Sequence, residues 1–177
     1  MSRPITLPNS SKSLIILSRL LFQPRDGEAA VSAAAGLKAD LTSLTHDEFE
    51  DMAALANSNH VVMRSFDIAL NILREAQDET RAVWAQTALA VEHARIQNAI
   101  PFLSAICAAF EEEKHDVTVI KSLDHWPDLG SDLDLYTNTA PETVIELMKR
   151  HFQAELAARS WGDRLACKWN FNLPGLP

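Results

Sequence analysis

The stretch VTVIKSLDHWPDLGSDLDLY, residues 117–136, decides how the rest of the chain is read. Val117-Thr118-Val119-Ile120 is short, apolar and β-branched, the composition of a buried strand. Turn-forming residues follow from Asp124 to Gly130. Asp132-Leu133-Asp134-Leu135-Tyr136 then alternates strictly between polar and apolar, which predicts a second strand. Residues two apart on a strand share a face, so Asp132 and Asp134 project together while Leu133 and Leu135 anchor the opposite side. Adjacent carboxylates repel, and a cation between them relieves the repulsion. Oxygen donors of this kind suit Mg²⁺, which is commonly held by one or two carboxylates plus substrate phosphates. The tripeptide alone is common, and alone it reads more readily as a solvated strand edge.

On the C-terminal side, Thr139-Ala140-Pro141-Glu142 opens a helix with proline in its first turn, predicted to run to about Ala157. Trp169-Asn170-Phe171-Asn172-Leu173 alternates again and predicts a third strand. On the N-terminal side the pattern is helical throughout. Asn9, Ser10 and Ser11 offer caps to a segment with Leu14, Ile15, Leu17, Leu20 and Leu21 at helical spacing, ended by Pro24. An Ala-rich segment spans 27–39. Thr45-His46-Asp47-Glu48 is a capping box that opens a helix bearing Phe49, Met52 and Leu55. Residues 60–76 are amphipathic through Val62, Phe66, Ala69 and Leu73. Residues 78–114 carry a long apolar stripe that includes Trp84, Val91, Ile106 and Phe110, with a break or kink expected near Asn98 to Pro101. The order predicts an α+β protein: a helical region over 1–114, packed on a small mixed sheet within 115–177.

The chain has 177 residues and a formal charge of -8, with 47% apolar and 23% charged residues. That composition excludes a disordered or collagen-like chain. An acidic chain lacks the basic footprint of a nucleic-acid binder, so nucleic acid is an unlikely partner. Cys107 and Cys167 form neither a disulfide framework nor a metal-ligand spacing and read as reduced, buried thiols. No apolar run is long enough to span a bilayer, and Met1 to Phe22 resembles neither a signal peptide nor an anchor. A cytoplasmic protein is expected.

Val119-Ile120-Lys121-Ser122 followed by Gly130-Ser131-Asp132-Leu133-Asp134-Leu135-Tyr136 resembles the nucleotidyltransferase superfamily with its polymerase-beta-like fold. It is most similar to the uncharacterised bacterial nucleotidyltransferases, which carry a helical N-terminal region, a strand ending in Lys-Gly and a Gly-Asp-x-Asp-Leu segment. The resemblance implies that Asp132 and Asp134 are catalytic ligands of Mg²⁺ or Mn²⁺. It implies that Lys121, Ser122, Gly130 and Ser131 surround the phosphates of a nucleoside triphosphate such as ATP, with backbone N–H groups at the start of a short helix gripping them. The activity implied is metal-dependent transfer of a nucleotidyl group to an acceptor, a small molecule or a protein, with release of pyrophosphate. The chain departs from the family at Ser122, where a Cβ replaces glycine. It also lacks an acidic residue on a later strand: the remaining acids Glu142, Glu146, Glu155 and Asp163 fall on a helix, near its end, or in a turn. The nucleotidyltransferase core is therefore expected to be incomplete at its C-terminal end and the chain to be part of a larger protein. The alternative is a non-catalytic interaction protein with a degenerate or truncated core.

Weaker readings remain. Asp124, Asp128, Asp132 and Asp134 resemble a loose cation loop, but EF-hand spacing fails for want of the glycine and the terminal glutamate. His125 could serve as a base and Trp126 as a base-stacking platform. The blander expectation has Trp126 plugging the core and His125 in a surface turn. The other histidines have no ligand spacing, and Glu111 to Lys114 reads as a solvated helix end.

Overall fold

The computed structural model describes residues 10–22 and 28–175. The described residues form seven helices and four short strands: α1 (Ser10–Leu21), α2 (Glu28–Thr42), α3 (His46–Ser58), α4 (Val62–Glu75), α5 (Glu79–Glu112), β1 (Thr118–Val119), β2 (Leu135–Tyr136), α6 (Pro141–Phe152), β3 (Glu155–Leu156), α7 (Trp161–Leu165) and β4 (Phe171–Asn172). The class is α+β and mainly helical. Packing divides the chain into two compact units, one of residues up to Ala94 with His125–Leu129, the other of Arg95–Asp124 with the chain from Gly130 onward. The division falls within α5. Asn9 and Pro24 lie outside the described residues.

The first unit is helical. α1 buries Ser13, Ile16, Leu17 and Leu20, a stripe at i, i+3, i+4 and i+7. Leu14 and Ile15, expected on that stripe, are instead more than half exposed, because the phase of the helix is set by Ile16. Its neighbours are α2, α3 and α4. One continuous core joins Leu37, Leu41, Phe49, Met52, Phe66 and Leu73, closed by Ala82 and Ala85 from the start of α5. Phe49 meets Phe66 edge-on with centroids 5.3 Å apart, and each such buried ring contributes about 1.5–3 kcal/mol.

Local signals fix the ends of these helices. The capping box at α3 forms as expected: Glu48 N–H donates to Thr45 Oγ1 at 3.3 Å, and Thr45 N–H donates to Glu48 Oε2 at 2.9 Å. Lys12 reaches the same carboxylate, and its hydrogen bond and that from the Thr45 amide hold Glu48 below its usual pKa. Thr45→Ala is expected to cost about 1 kcal/mol, read as a lower urea midpoint at unchanged slope. α4 starts differently. The side chain of its N-cap, Val61, has no acceptor to offer. The cap comes from Asp128, fully buried, which accepts from Met63 N–H at 2.6 Å, Arg64 N–H at 3.4 Å and Arg64 Nε at 2.7 Å.

The second unit has its own core. Ile106, Ala109 and Phe110 of α5 meet Leu147 and Met148 of α6, and Val117, Leu135, Phe152 and Phe171 pack against them. No break occurs at Pro101, which lies inside α5. Proline deprives the Gln97 carbonyl of its helical donor, but both residues are exposed, so water can take its place. Val91, expected on the buried stripe, is 68% exposed. α6 ends at Phe152, short of Ala157, because Gln153 adopts φ 52 and Ala154 N–H turns back to the Met148 carbonyl. The released chain pairs instead as β3 with β4, Glu155 opposite Asn172 and Leu156 opposite Phe171. The single mixed sheet expected from sequence is therefore replaced by two separate antiparallel two-stranded ladders.

Glu113, expected to be simply solvated, binds Arg150 and His151 of α6. The His151 ring, followed by the Arg150 guanidinium, lowers its pKa below the usual 4.5. A depressed carboxylate contributes stability that is present above its unfolded value and lost as pH falls through its folded one. Asp163, lowered by hydrogen bonds from Ser160, acts in the same direction. Stability of this unit is expected to decline on acidification below about pH 4.5, and Glu113→Gln to flatten that decline in denaturation series at pH 7 and pH 3.5. Cys107 is half-buried, and burial raises its thiol pKa. Cys167, expected to be buried, is exposed because it sits in the turn after α7.

Candidate functional site

β1 and β2 pair antiparallel, Thr118 opposite Tyr136 and Val119 opposite Leu135. The ladder continues one step, with Ile120 N–H donating to the Asp134 carbonyl at 2.9 Å. This pairing juxtaposes the two ends that the sequence singles out: the chain leaves β1 through Lys121-Ser122 and enters β2 through Asp132-Leu133-Asp134. The strand expected over Asp132–Tyr136 is reduced to Leu135–Tyr136, and Asp132 lies in a bend before it. Leu135 packs on the core of the unit, and alternation turns Asp134 away from it.

Ser122 joins the two ends. It is 4% exposed, and its Oγ accepts from Asp134 N–H at 2.7 Å. Its own N–H donates to the Ile120 carbonyl at 2.7 Å, closing a tight turn around Lys121, whose φ is 61. A non-glycine residue in this region costs about 1–2 kcal/mol and persists where its surroundings fix it. The turn sends the Lys121 side chain into solvent. Asp124 N–H donates to the Lys121 carbonyl at 3.0 Å. No helix follows: residues 122–127 are turns, because Pro127 disfavours helical backbone at Trp126 and supplies no N–H itself. The amides of Ser122 and Asp124 are thus engaged inside the turn rather than aimed outward from a helix start.

Across from the turn, Gly130 is half-buried and its carbonyl accepts from Arg95 Nη1 of α5 at 3.0 Å. Ser131 and Asp132 are exposed. The Asp134 side chain is 30% exposed, and Lys168 Nζ stands 3.6 Å from its Oδ1. Lys168 was not foreseen from sequence; the one available signal was a basic residue directly before the alternating run that starts at Trp169. Its backbone is held firmly: the Lys168 carbonyl accepts from Arg159 Nε at 2.8 Å, and its N–H donates to the Asp163 carbonyl at 2.8 Å. Arg159 also stacks 3.8 Å above the Trp169 ring.

No family model, curated protein or solved structure matches the chain. The donor chemistry is the remaining guide. Two hard carboxylates, one exposed and one partly so, leave room for water and phosphate oxygens. Oxygen donors of this kind suit a hard divalent cation such as Mg²⁺ or Mn²⁺, although Asp132 lies in a bend rather than on the strand whose face the sequence predicts the pair to share. They do not form an all-protein cage: among the described residues no three His, Cys, Asp or Glu side chains could hold a metal together.

Glu142 and Glu146 lie on α6 as expected, whereas Glu155, expected near the end of that helix, lies on the later strand β3 because α6 ends at Phe152. Asp163 caps α7 through Ser160 N–H at 2.8 Å and Ser160 Oγ at 2.7 Å. The loose cation loop does not form, because Asp128 is consumed in capping α4. Trp126, expected in the blander reading to plug the core, is 61% exposed, and the buried apolar side chain of that loop is Leu129. His125 lines a cavity of about 790 Å³ in the first unit, with Val61, Arg64, Asp67, Ile68 and Pro127. No described helix is long and apolar enough to cross a membrane.

Proposed function

We propose that the chain is a nucleotidyltransferase-type protein that transfers a nucleotidyl group from a Mg²⁺- or Mn²⁺-bound nucleoside triphosphate to a small-molecule or protein acceptor. The observation that carries this reading is the junction of Ser122 with Asp134. It fastens the carboxylate-bearing segment against the lysine-bearing turn through one 2.7 Å hydrogen bond. In this reading Asp132 and Asp134 supply the metal's protein ligands, and the metal supplies charge neutralisation at the α-phosphate. Lys121, exposed at the turn, neutralises phosphate as a point charge. Ser122 positions Asp134, and Arg95 positions the Gly130 carbonyl that leads into Ser131 and Asp132. An acceptor hydroxyl oxygen forms a bond to the α-phosphorus, the bond to the bridging oxygen breaks, pyrophosphate leaves, and the hydroxyl proton passes to water.

A second reading is a non-catalytic interaction protein with a degenerate core. What favours it is the want of a third acidic partner for Asp132 and Asp134 among the described residues. The two are separated by incubating the chain with α-labelled nucleoside triphosphate, Mg²⁺ and a lysate. Metal-dependent label transfer supports the first reading, and its absence at every metal and nucleotide tried supports the second.

A further inference from the structure

Resting on the nucleotide-binding reading above, we propose that Lys168 is a phosphate-binding residue of the same site, which neutralises Asp134 until a metal-bound triphosphate arrives. Three features carry this. First, Lys168 Nζ is 3.6 Å from Asp134 Oδ1, too long for a firm hydrogen bond, and its side chain is 46% exposed. An exposed ion pair of this kind is weak and readily exchanged. Second, the backbone beneath it is fixed from both sides, by Arg159 Nε at the carbonyl and by the Asp163 carbonyl at the amide. Arg159 is itself stacked on Trp169, and Asp163 is held in its capping box. A loose ammonium on a rigid base can swing through its stem without rearranging the fold. Third, the ammonium occupies the space beside Asp134 that a cation bound there would need. A divalent ion on Asp134 would displace it, and the freed charge would pass to the triphosphate that shares the ion, in competition with the Asp163 carboxylate that Lys168 already stabilises.

This gives Lys168 opposite effects on two ligands. Without nucleotide it competes with the metal; with nucleotide it adds a charge-assisted contact. The test is calorimetry on wild type, Lys168→Ala and Lys168→Arg, using each of the four Mg²⁺–nucleoside triphosphates, together with Mn²⁺ alone followed by electron paramagnetic resonance. Circular dichroism checks folding. Lys168→Ala is expected to weaken binding of the preferred triphosphate about tenfold, as loss of one charge-assisted hydrogen bond does. It is expected to tighten Mn²⁺ alone about twofold by removing the competing charge. Lys168→Arg is expected to recover most of the triphosphate affinity. If wild type binds triphosphate and Lys168→Ala binds it equally, or if both ligands weaken together, the role of Lys168 is overturned while the site stands. If wild type binds no triphosphate with any metal, the underlying reading falls, and this role with it.

Discussion

Asp128→Ala is expected to lower the unfolding free energy of the first unit by about 3 kcal/mol, the largest stability effect foreseen for any polar side chain in the protein. The carboxylate is fully buried and serves two amides and a guanidinium at the start of α4. Losing a helix cap costs about 1–2 kcal/mol. Stripping a buried ion pair of one partner costs about 3–5 kcal/mol, but Arg64 is 40% exposed and can rehydrate, which places the sum toward the lower end. The consequence spreads because α4 carries Phe66, Leu70 and Leu73 into the core. Asp128→Asn keeps one acceptor oxygen and is expected to lose about half as much. Urea denaturation followed by far-UV circular dichroism reads both, since the first unit is helical. A loss below about 0.5 kcal/mol for the alanine variant would show that the cap contributes little.

Asp132→Asn with Asp134→Asn is expected to reduce Mg²⁺–nucleoside triphosphate affinity at least about a hundredfold and to abolish label transfer, with the fold unchanged. Both carboxamides match their parents in shape, and neither parent is fully buried. The bond that holds the segment, Asp134 N–H to Ser122 Oγ, belongs to the backbone and survives the change. What is lost is two negative charges at a divalent cation. Calorimetry decides the matter, and affinity retained within about threefold would remove these residues from any metal site and the proposed activity with them.

Local patterns in the sequence were sufficient where one element supplies its own signal. The Thr45–Glu48 box, the stripe of α4 and the extended backbone at Thr118–Val119 and Leu135–Tyr136 all follow from spacing within a few residues. The failures share one cause, partners distant along the chain. Asp128 meets α4 across 64 or 65 residues, so nothing near it distinguishes a cap from a cation ligand. Lys168 reaches Asp134 only because the chain ends α6 early and returns through β3 and α7. The phase error in α1 arose because Leu14, Ile15, Ile16 and Leu17 are all apolar, which leaves the buried face to be chosen by neighbouring helices. The short ladders were overestimated because alternation marks sidedness, whereas pairing needs a facing strand.

The hydroxyl of Ser122 has an evolutionary corollary. Glycine at this position would let the main chain come nearer to an anionic ligand, yet it would strand the Asp134 amide, whose acceptor is that hydroxyl. Serine and glycine here are therefore not interchangeable steps on a neutral path. A lineage that exchanged one for the other would need a compensating acceptor for that amide, such as an ordered solvent molecule, arriving with the substitution.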